Sequence, residues 1–174
     1  MPPTLIIDGY NLIRNSPTLS PIDRQDIEEG REALISRLSE YRKVRHFPIT
    51  VVFDGTGFYH LSATAENRMG IRILYSHKGQ TADDFIVSLA SQKGRETVVV
   101  TSDRGICDRL KKTDCFCISS EAFDAKIDNA LYELYKGQSM EDEEEMDIHP
   151  GRKKGASRKL PKKVRRQRDI LRRL

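Results

Sequence analysis

Four short apolar runs in this 174-residue chain each lead into an acidic position. Asp8 follows Leu5-Ile6-Ile7, Asp54 follows Val51-Val52-Phe53, and Asp103 follows Val98-Val99-Val100 and a Thr-Ser pair. The Asp83-Asp84 pair comes soon after Ile71-Arg72-Ile73-Leu74-Tyr75. If the runs are parallel strands of one sheet, the acids gather along its carboxyl edge, where open α/β sheets bind ligands. Two bare carboxylates about 4 Å apart repel by roughly 4 kcal/mol at an effective dielectric of about 20. Such a cluster calls for a cation, and an all-oxygen donor set favours Mg²⁺ or Mn²⁺, hence phosphate chemistry. Asn11, three residues past Asp8, places an amide that can hydrogen-bond a ligating carboxylate or a substrate phosphate.

Taken singly, every one of these residues has an ordinary structural explanation. Asp-Gly pairs such as Asp8-Gly9 and Asp54-Gly55 are common turn chemistry. Asp84 suits a capping role as the partner of Thr81 at a helix start, so it ranks below Asp83. Asp103 is a natural first-turn acid. Only their shared position at successive strand ends points to a site.

The elements that must position them are legible from periodicity. Residues 4–8, 49–53, 71–75, 97–101 and 115–118 read as strands, buried on both faces as in a parallel sheet. Gly9 and Asn11 suggest a turn after the first of them. Ser20 and Pro21 predict the start of a helix whose stripe is Ile27, Leu34, Ile35, Leu38 and Tyr41, ending before Pro48. Residues 55–70 read as a loop with at most a helical turn. Thr81 opens a helix with Phe85, Ile86, Leu89 and Ala90 inside, and another follows with Ile106 and Leu110. Ser119 or Ser120 caps a last core helix carrying Phe123, Ile127, Ala130, Leu131 and Leu134. This alternation predicts an α/β fold with a parallel sheet covered by helices on both faces.

Bulk properties narrow the function. With 37% apolar and 32% charged residues, the chain suits one domain with an appendage. It has no membrane-length apolar run and no signal-peptide pattern at its start, so a cytoplasmic protein without a membrane partner is expected. Cys107, Cys115 and Cys117 are odd in number and lack zinc-type spacing, and are read as free core thiols. The net charge of +4 hides a split, because residues 151–174 hold 12 Lys/Arg against one acid. A slightly acidic body with a strongly basic tail indicates a polyanionic partner.

The strings LIIDGYNLI, VVFDG, TADDFI and VVTSD, in that order, resemble the YacP-like branch of the NYN domain family, relatives of the PIN-domain nucleases. The resemblance runs from about Leu5 to Tyr135. It implies a PIN-like three-layer α/β/α sandwich over residues 1–137, followed by an acidic linker and basic tail over 138–174. It also implies a metal-dependent endoribonuclease acting on single-stranded RNA, with mRNA decay near the ribosome as the expected setting. On this reading Asp8, Asp83 and Asp103 hold the metal, while Asp54 and Asn11 orient it or its waters. The chemistry needs no histidine; His46, His60, His77 and His149 lie outside the motifs and are expected at the surface.

An acidic site repels RNA, so capture is assigned to the tail, through Arg152, Lys153, Lys154, Arg158, Lys159, Lys162, Lys163, Arg165 and Arg166. Leu160, Val164, Ile170, Leu171 and Leu174 can share one helical face once a partner neutralises the arginines. Phe58, Tyr59 and His60 are candidates for base stacking, and Arg14 and Arg68 for binding phosphate. Two rival readings stay open. One is a non-catalytic RNA- or ribosome-binding module, and the other a metal-dependent phosphohydrolase of small molecules.

Overall fold

The computed structural model describes residues 3–55, 65–77, 79–94, 96–139 and 161–174. The first apolar run forms β1 (Thr4–Asp8), which lies inside the sheet between β2 (Ile49–Phe53) and β5 (Thr97–Val100). β4 (Ile71–Tyr75) pairs with β2, and β6 (Phe116–Ile118) with β5, all in parallel. The full order is β3-β4-β2-β1-β5-β6. These strands read as continuous apolar runs because both of their faces are covered.

Strand alternation divides the core between the two faces. Leu5, Ile7, Val51, Ile73, Val98 and Val100 face one layer, built from α1 (Gly9–Asn15), α2 (Ser20–Gln25), α3 (Ile27–Arg45), α6 (Ser120–Ser139) and α7 (Lys162–Arg173). Ile6, Val52, Leu74 and Val99 face the other, built from α4 (Ala82–Lys93) and α5 (Arg104–Leu110). The result is the expected three-layer, PIN-like α/β/α sandwich.

Several local expectations are corrected. The turn expected after β1 is the helix α1, because Asp8 acts as its N-cap and accepts the Asn11 N–H at 3.3 Å. Gly9 is required there, since a Cβ would stand 2.3 Å from Phe53 Cε1. The helix expected to run unbroken from Ser20 is interrupted at Asp26, which adopts an extended conformation. Its carboxylate accepts from the N–H groups of Glu28 (2.7 Å) and Glu29 (3.1 Å) and restarts the chain as α3. Ile27 thereby falls at the first position of α3 and is 47% exposed, off the buried stripe.

The region read as a loop before Gly70 contains β3 (Ala65–Arg68), antiparallel to β4. The link is a two-residue turn with positive φ at both Met69 (51°) and Gly70 (79°), the geometry that matches the twist of a tight hairpin. Cys107 and Cys117 are not free thiols. They form a disulfide between α5 and β6 with Cα atoms 5.8 Å apart, leaving Cys115 as the buried free cysteine. An odd count leaves one cysteine over but does not prevent the other two from pairing.

α7 does not wait for an outside partner. Ile170 and Leu174 are buried in the core beside α3 and α6, and Tyr41 donates its hydroxyl to the Leu174 carbonyl at 2.6 Å. Lys126 Nζ donates to the Leu171 carbonyl at 2.6 Å, and the Arg166 guanidinium lies 5.5 Å from the Phe116 ring centroid. Lys163 donates to the carbonyls of Lys111 (3.4 Å) and Thr113 (3.1 Å) in the turn that leads into β6. Among the described residues no helix is long and apolar enough to cross a membrane.

Candidate active site

Because β2, β1 and β5 are adjacent and parallel, Asp54, Asp8 and the Thr101–Asp103 segment emerge side by side at the carboxyl edge. Asp83 enters from the first turn of α4, which follows β4. Asp8 is the best shielded of the acids. Its Oδ2 accepts the Thr101 hydroxyl at 3.0 Å, and the same hydroxyl oxygen accepts the Asp103 N–H at 3.1 Å. Burial pushes the Asp8 carboxyl above its ordinary range against its hydrogen bonds from Asn11 and Thr101, and the charges of Asp83 and Asp103 push it further. The Asp83 carboxyl is raised as well, first by the partial desolvation of an otherwise exposed position and then by Asp103, Asp84 and Asp54, with Arg109 opposing. Asp8 and Asp83 therefore feel the neighbouring negative charges, which make their own ionisation more costly.

Asp103 caps α5, its Oδ1 accepting from the N–H groups of Gly105 (2.6 Å) and Ile106 (3.2 Å). Asp54 accepts the Ser76 hydroxyl at 3.1 Å, and Ser76 Oγ in turn accepts the Gly55 N–H. Asp84 is turned away to Arg109 at 2.8 Å and caps back through Thr81, and these interactions hold its carboxyl below the ordinary range.

Asn11 is an organising residue. Its Oδ1 accepts from the Ser102 N–H (2.8 Å), the Ser120 hydroxyl (2.7 Å) and Asn15 Nδ2 (3.2 Å). Since a backbone N–H can only donate, the oxygen is fixed toward Ser102 and the amide nitrogen is left on the other side. Ser102 also donates to Glu121 at 2.6 Å and accepts the Ser120 N–H at 3.0 Å, and the first of these bonds keeps the Glu121 carboxyl below its ordinary range. Ser76, Ser120 and Glu121 carry no signal of a site role in the sequence. A Ser-Ser-Glu helix start is commonplace until strand order brings it beside Asn11.

The donor chemistry fits a hard divalent cation, being all oxygen and mutually repulsive. Among the described residues, however, no three His, Cys, Asp or Glu side chains converge as a ready metal cluster. Asp83 is exposed on its helix turn and is the carboxylate with room to reorient.

Of the predicted RNA-binding residues, Lys162, Lys163, Arg165 and Arg166 lie on α7, whereas Arg152, Lys153, Lys154, Arg158 and Lys159 fall outside the described residues, as do Phe58, Tyr59 and His60. α7 meets the turn before β6, the first residue of β6 and the last turns of α3. All of these lie toward the amino ends of the strands. The basic helix thus lies over one face of the sheet, and its first turns, with Lys163 and Arg166, sit at the amino end of β6, away from the acids. Arg68 is committed to Glu32, and Arg14 sits over the Tyr10 ring with 5.4 Å to its centroid. His46 and His77 are at the surface, as expected.

A mostly parallel PIN-like sandwich with acids collected at its carboxyl edge defines a nuclease-like class of α/β protein. The chain belongs to the YacP-like NYN domain family, which it matches over residues 5–173. NYN domains are in general nucleases, with RNA-related functions. Over 86 residues the chain is 31% identical to the uncharacterized protein YacP of Bacillus subtilis (strain 168), a stretch covering 49% of this chain and 50% of that relative. The chain therefore spans about half the length of the curated relative it matches. Two crystal structures of Rae1 (YacP) from Bacillus subtilis are similar in fold. A mutant form superposes with a TM-score of 0.67 at 22% identity, covering 82% of this chain and 86% of the other. A second crystal structure gives 0.66 at 23%, covering 78% and 79%.

Proposed function

We propose that this protein is a metal-dependent endoribonuclease that cleaves single-stranded RNA in the cytoplasm. The observation that carries the reading is the gathering of Asp8, Asp83 and Asp103 at the carboxyl edge of one parallel sheet. A Mg²⁺ or Mn²⁺ ion held by these three would offset the repulsion among their charges. When bound, such an ion withdraws charge from the phosphoryl group and lowers the pKa of an attacking water. Thr101 and Asn11 keep Asp8 and the start of α5 in register, and Asp54, fixed by Ser76, faces the same edge as a water-orienting group. Arg14 offers a cation to a phosphate nearby.

Exposed basic residues of α7, among them Lys162 and Arg165, supply attraction for RNA. Lys163 and Arg166 are partly spent on the body. Because a five-residue strand spans about 17 Å, RNA held at α7 reaches the acids only by running along the molecule. That spacing suits a long single-stranded RNA, such as mRNA on a ribosome, better than a short fragment.

The test is purified protein with labelled single-stranded RNA in Mg²⁺, in Mn²⁺ and in EDTA, beside Asp8→Asn. Metal-dependent cutting by the wild type alone is the expected result; a variant that cuts at the wild-type rate sinks the assignment. The lack of a ready metal cluster among the described residues and the capping duty of Asp103 favour one rival, a non-catalytic RNA-binding module. Binding without cleavage in any metal would establish that rival.

A further inference from the structure

We propose that a cleft beside the acids, between α3 and the β2-β4-β3 side of the sheet, takes one unpaired nucleobase of the RNA, guanine by preference. The inference rests on the RNA reading above and goes beyond it by naming a specificity subsite. The cleft has a volume of about 340 Å³, within the range of small-ligand pockets. Asp54 lines it, so it opens directly onto the acidic edge.

Its lining suits a flat, uncharged ring. Phe53 forms the floor, with Tyr10 edge-on at 5.0 Å and Tyr75 stacked at 5.9 Å between centroids. Tyr10 and Tyr75 are only half-buried, which leaves ring surface for a base to stack on. The charged residues around it are four carboxylates, Glu28, Glu32, Asp54 and Glu66, against Arg31 and Arg68. Arg31 already pairs with Glu28 and Arg68 with Glu32. A phosphate would meet net negative charge here, whereas a base presenting N–H donors would meet acceptors.

Guanine is the base whose pairing edge carries adjacent donors, N1–H and N2–H, which match the two oxygens of one carboxylate. Glu66 is placed for that interaction. It lies on the exposed hairpin strand β3 and lines the cleft, and its pairing with Ile73 puts it on the same face of the sheet as Tyr75. A base stacked on Tyr75 would then turn its edge toward Glu66, with its phosphate directed toward the acids past Asp54.

The experiment measures fluorescence anisotropy of two labelled single-stranded RNAs in EDTA, one all-uridine and one with a single central guanosine. Wild-type protein is expected to bind the guanosine RNA about tenfold more tightly, the range of one good bidentate base pairing. Tyr75→Leu should weaken binding of both RNAs. Glu66→Gln, on the exposed strand β3, should remove the preference for the guanosine RNA over the uridine RNA. Equal affinities in the wild type, a preference that survives Glu66→Gln, or affinity unmoved by Tyr75→Leu overturns the proposal. A parallel cleavage assay with Asp8→Asn keeps the two ideas separate. Loss of metal-dependent cutting as a wild-type property would strike the nuclease reading while the guanosine preference stands or falls alone.

Discussion

The side-chain oxygen of Asn11 accepts the backbone N–H of Ser102 at 2.8 Å, joining the first turn of α1 to the end of β5 across 91 residues. The same oxygen takes the Ser120 hydroxyl, so one amide ties together three elements around the acids. Asn11→Ala should leave a shielded N–H and a hydroxyl without an acceptor and cost about 1–3 kcal/mol, read by denaturant unfolding. Asn11→Asp keeps the acceptor but adds another charge to a repulsive cluster. It should fold and lose most cleavage, and wild-type activity in this variant would remove the amide from the mechanism.

Asp8→Asn should abolish metal-dependent RNA cleavage with the fold intact. Divalent ions should raise the melting temperature of the wild type through binding to the native state alone. That thermal shift should shrink in Asp8→Asn and in Asp103→Asn. A shift of equal size in all three proteins would place the ion elsewhere.

The docking of α7 separates its apolar and basic faces experimentally. Ile170→Ala removes a fully buried side chain and should cost about 2–5 kcal/mol of stability. Replacing Arg165, Arg168 and Arg172 with Gln should leave stability near the wild-type value. It should also flatten the salt dependence of RNA binding by about 0.7 in log–log slope for each phosphate that is no longer neutralised. Deleting everything after Glu145 is a poor substitute, because it takes Ile170 and Leu174 out of the core. An unchanged salt slope in the triple Gln variant would end the capture role.

Asp124, which is not among the proposed metal ligands, gives a pH signature of its own. It is buried, with Arg37 at 3.1 Å, and burial raises its carboxyl above the ordinary value in spite of that guanidinium. A raised native pKa means the native state binds the proton more tightly than the unfolded chain. The associated stability is present below the unfolded value of about 3.9 and is lost as pH rises through the native value. Asp124→Asn mimics the protonated form. Its melting temperature relative to the wild type should therefore be higher near pH 7 than near pH 3.5, and the opposite trend in thermal unfolding across that range would refute the account.

The parallel strands were legible because burial on both faces leaves an unbroken apolar run, as in Leu5-Ile6-Ile7 and Val98-Val99-Val100. β3 was not, since Ala65-Glu66-Asn67-Arg68 is exposed throughout and owes its form to pairing with β4. The break at Asp26 had a local signal, an aspartate before Ile-Glu-Glu, which the stronger Ser20-Pro21 cue obscured. The strand-end acids could be read from sequence, but the wiring around them could not. Thr101 to Asp8 and Ser120 to Asn11 span 93 and 109 residues and exist only because β1 sits between β2 and β5. The amphipathic pattern from Val164 to Leu174 was equally plain. What it could not reveal was that the apolar face is satisfied by Tyr41 and its neighbours.

The central place of β1 carries a consequence for the history of each molecule. Its neighbour β5 is made some ninety residues later, and the Asn11 anchor needs Ser120 from later still. The acidic constellation draws on residues from Asp8 to Asp103, so a short nascent chain lacks part of it. If the carboxylates act as proposed, activity would have to wait for the sheet to close, and a misfolded copy would be inert rather than indiscriminately destructive.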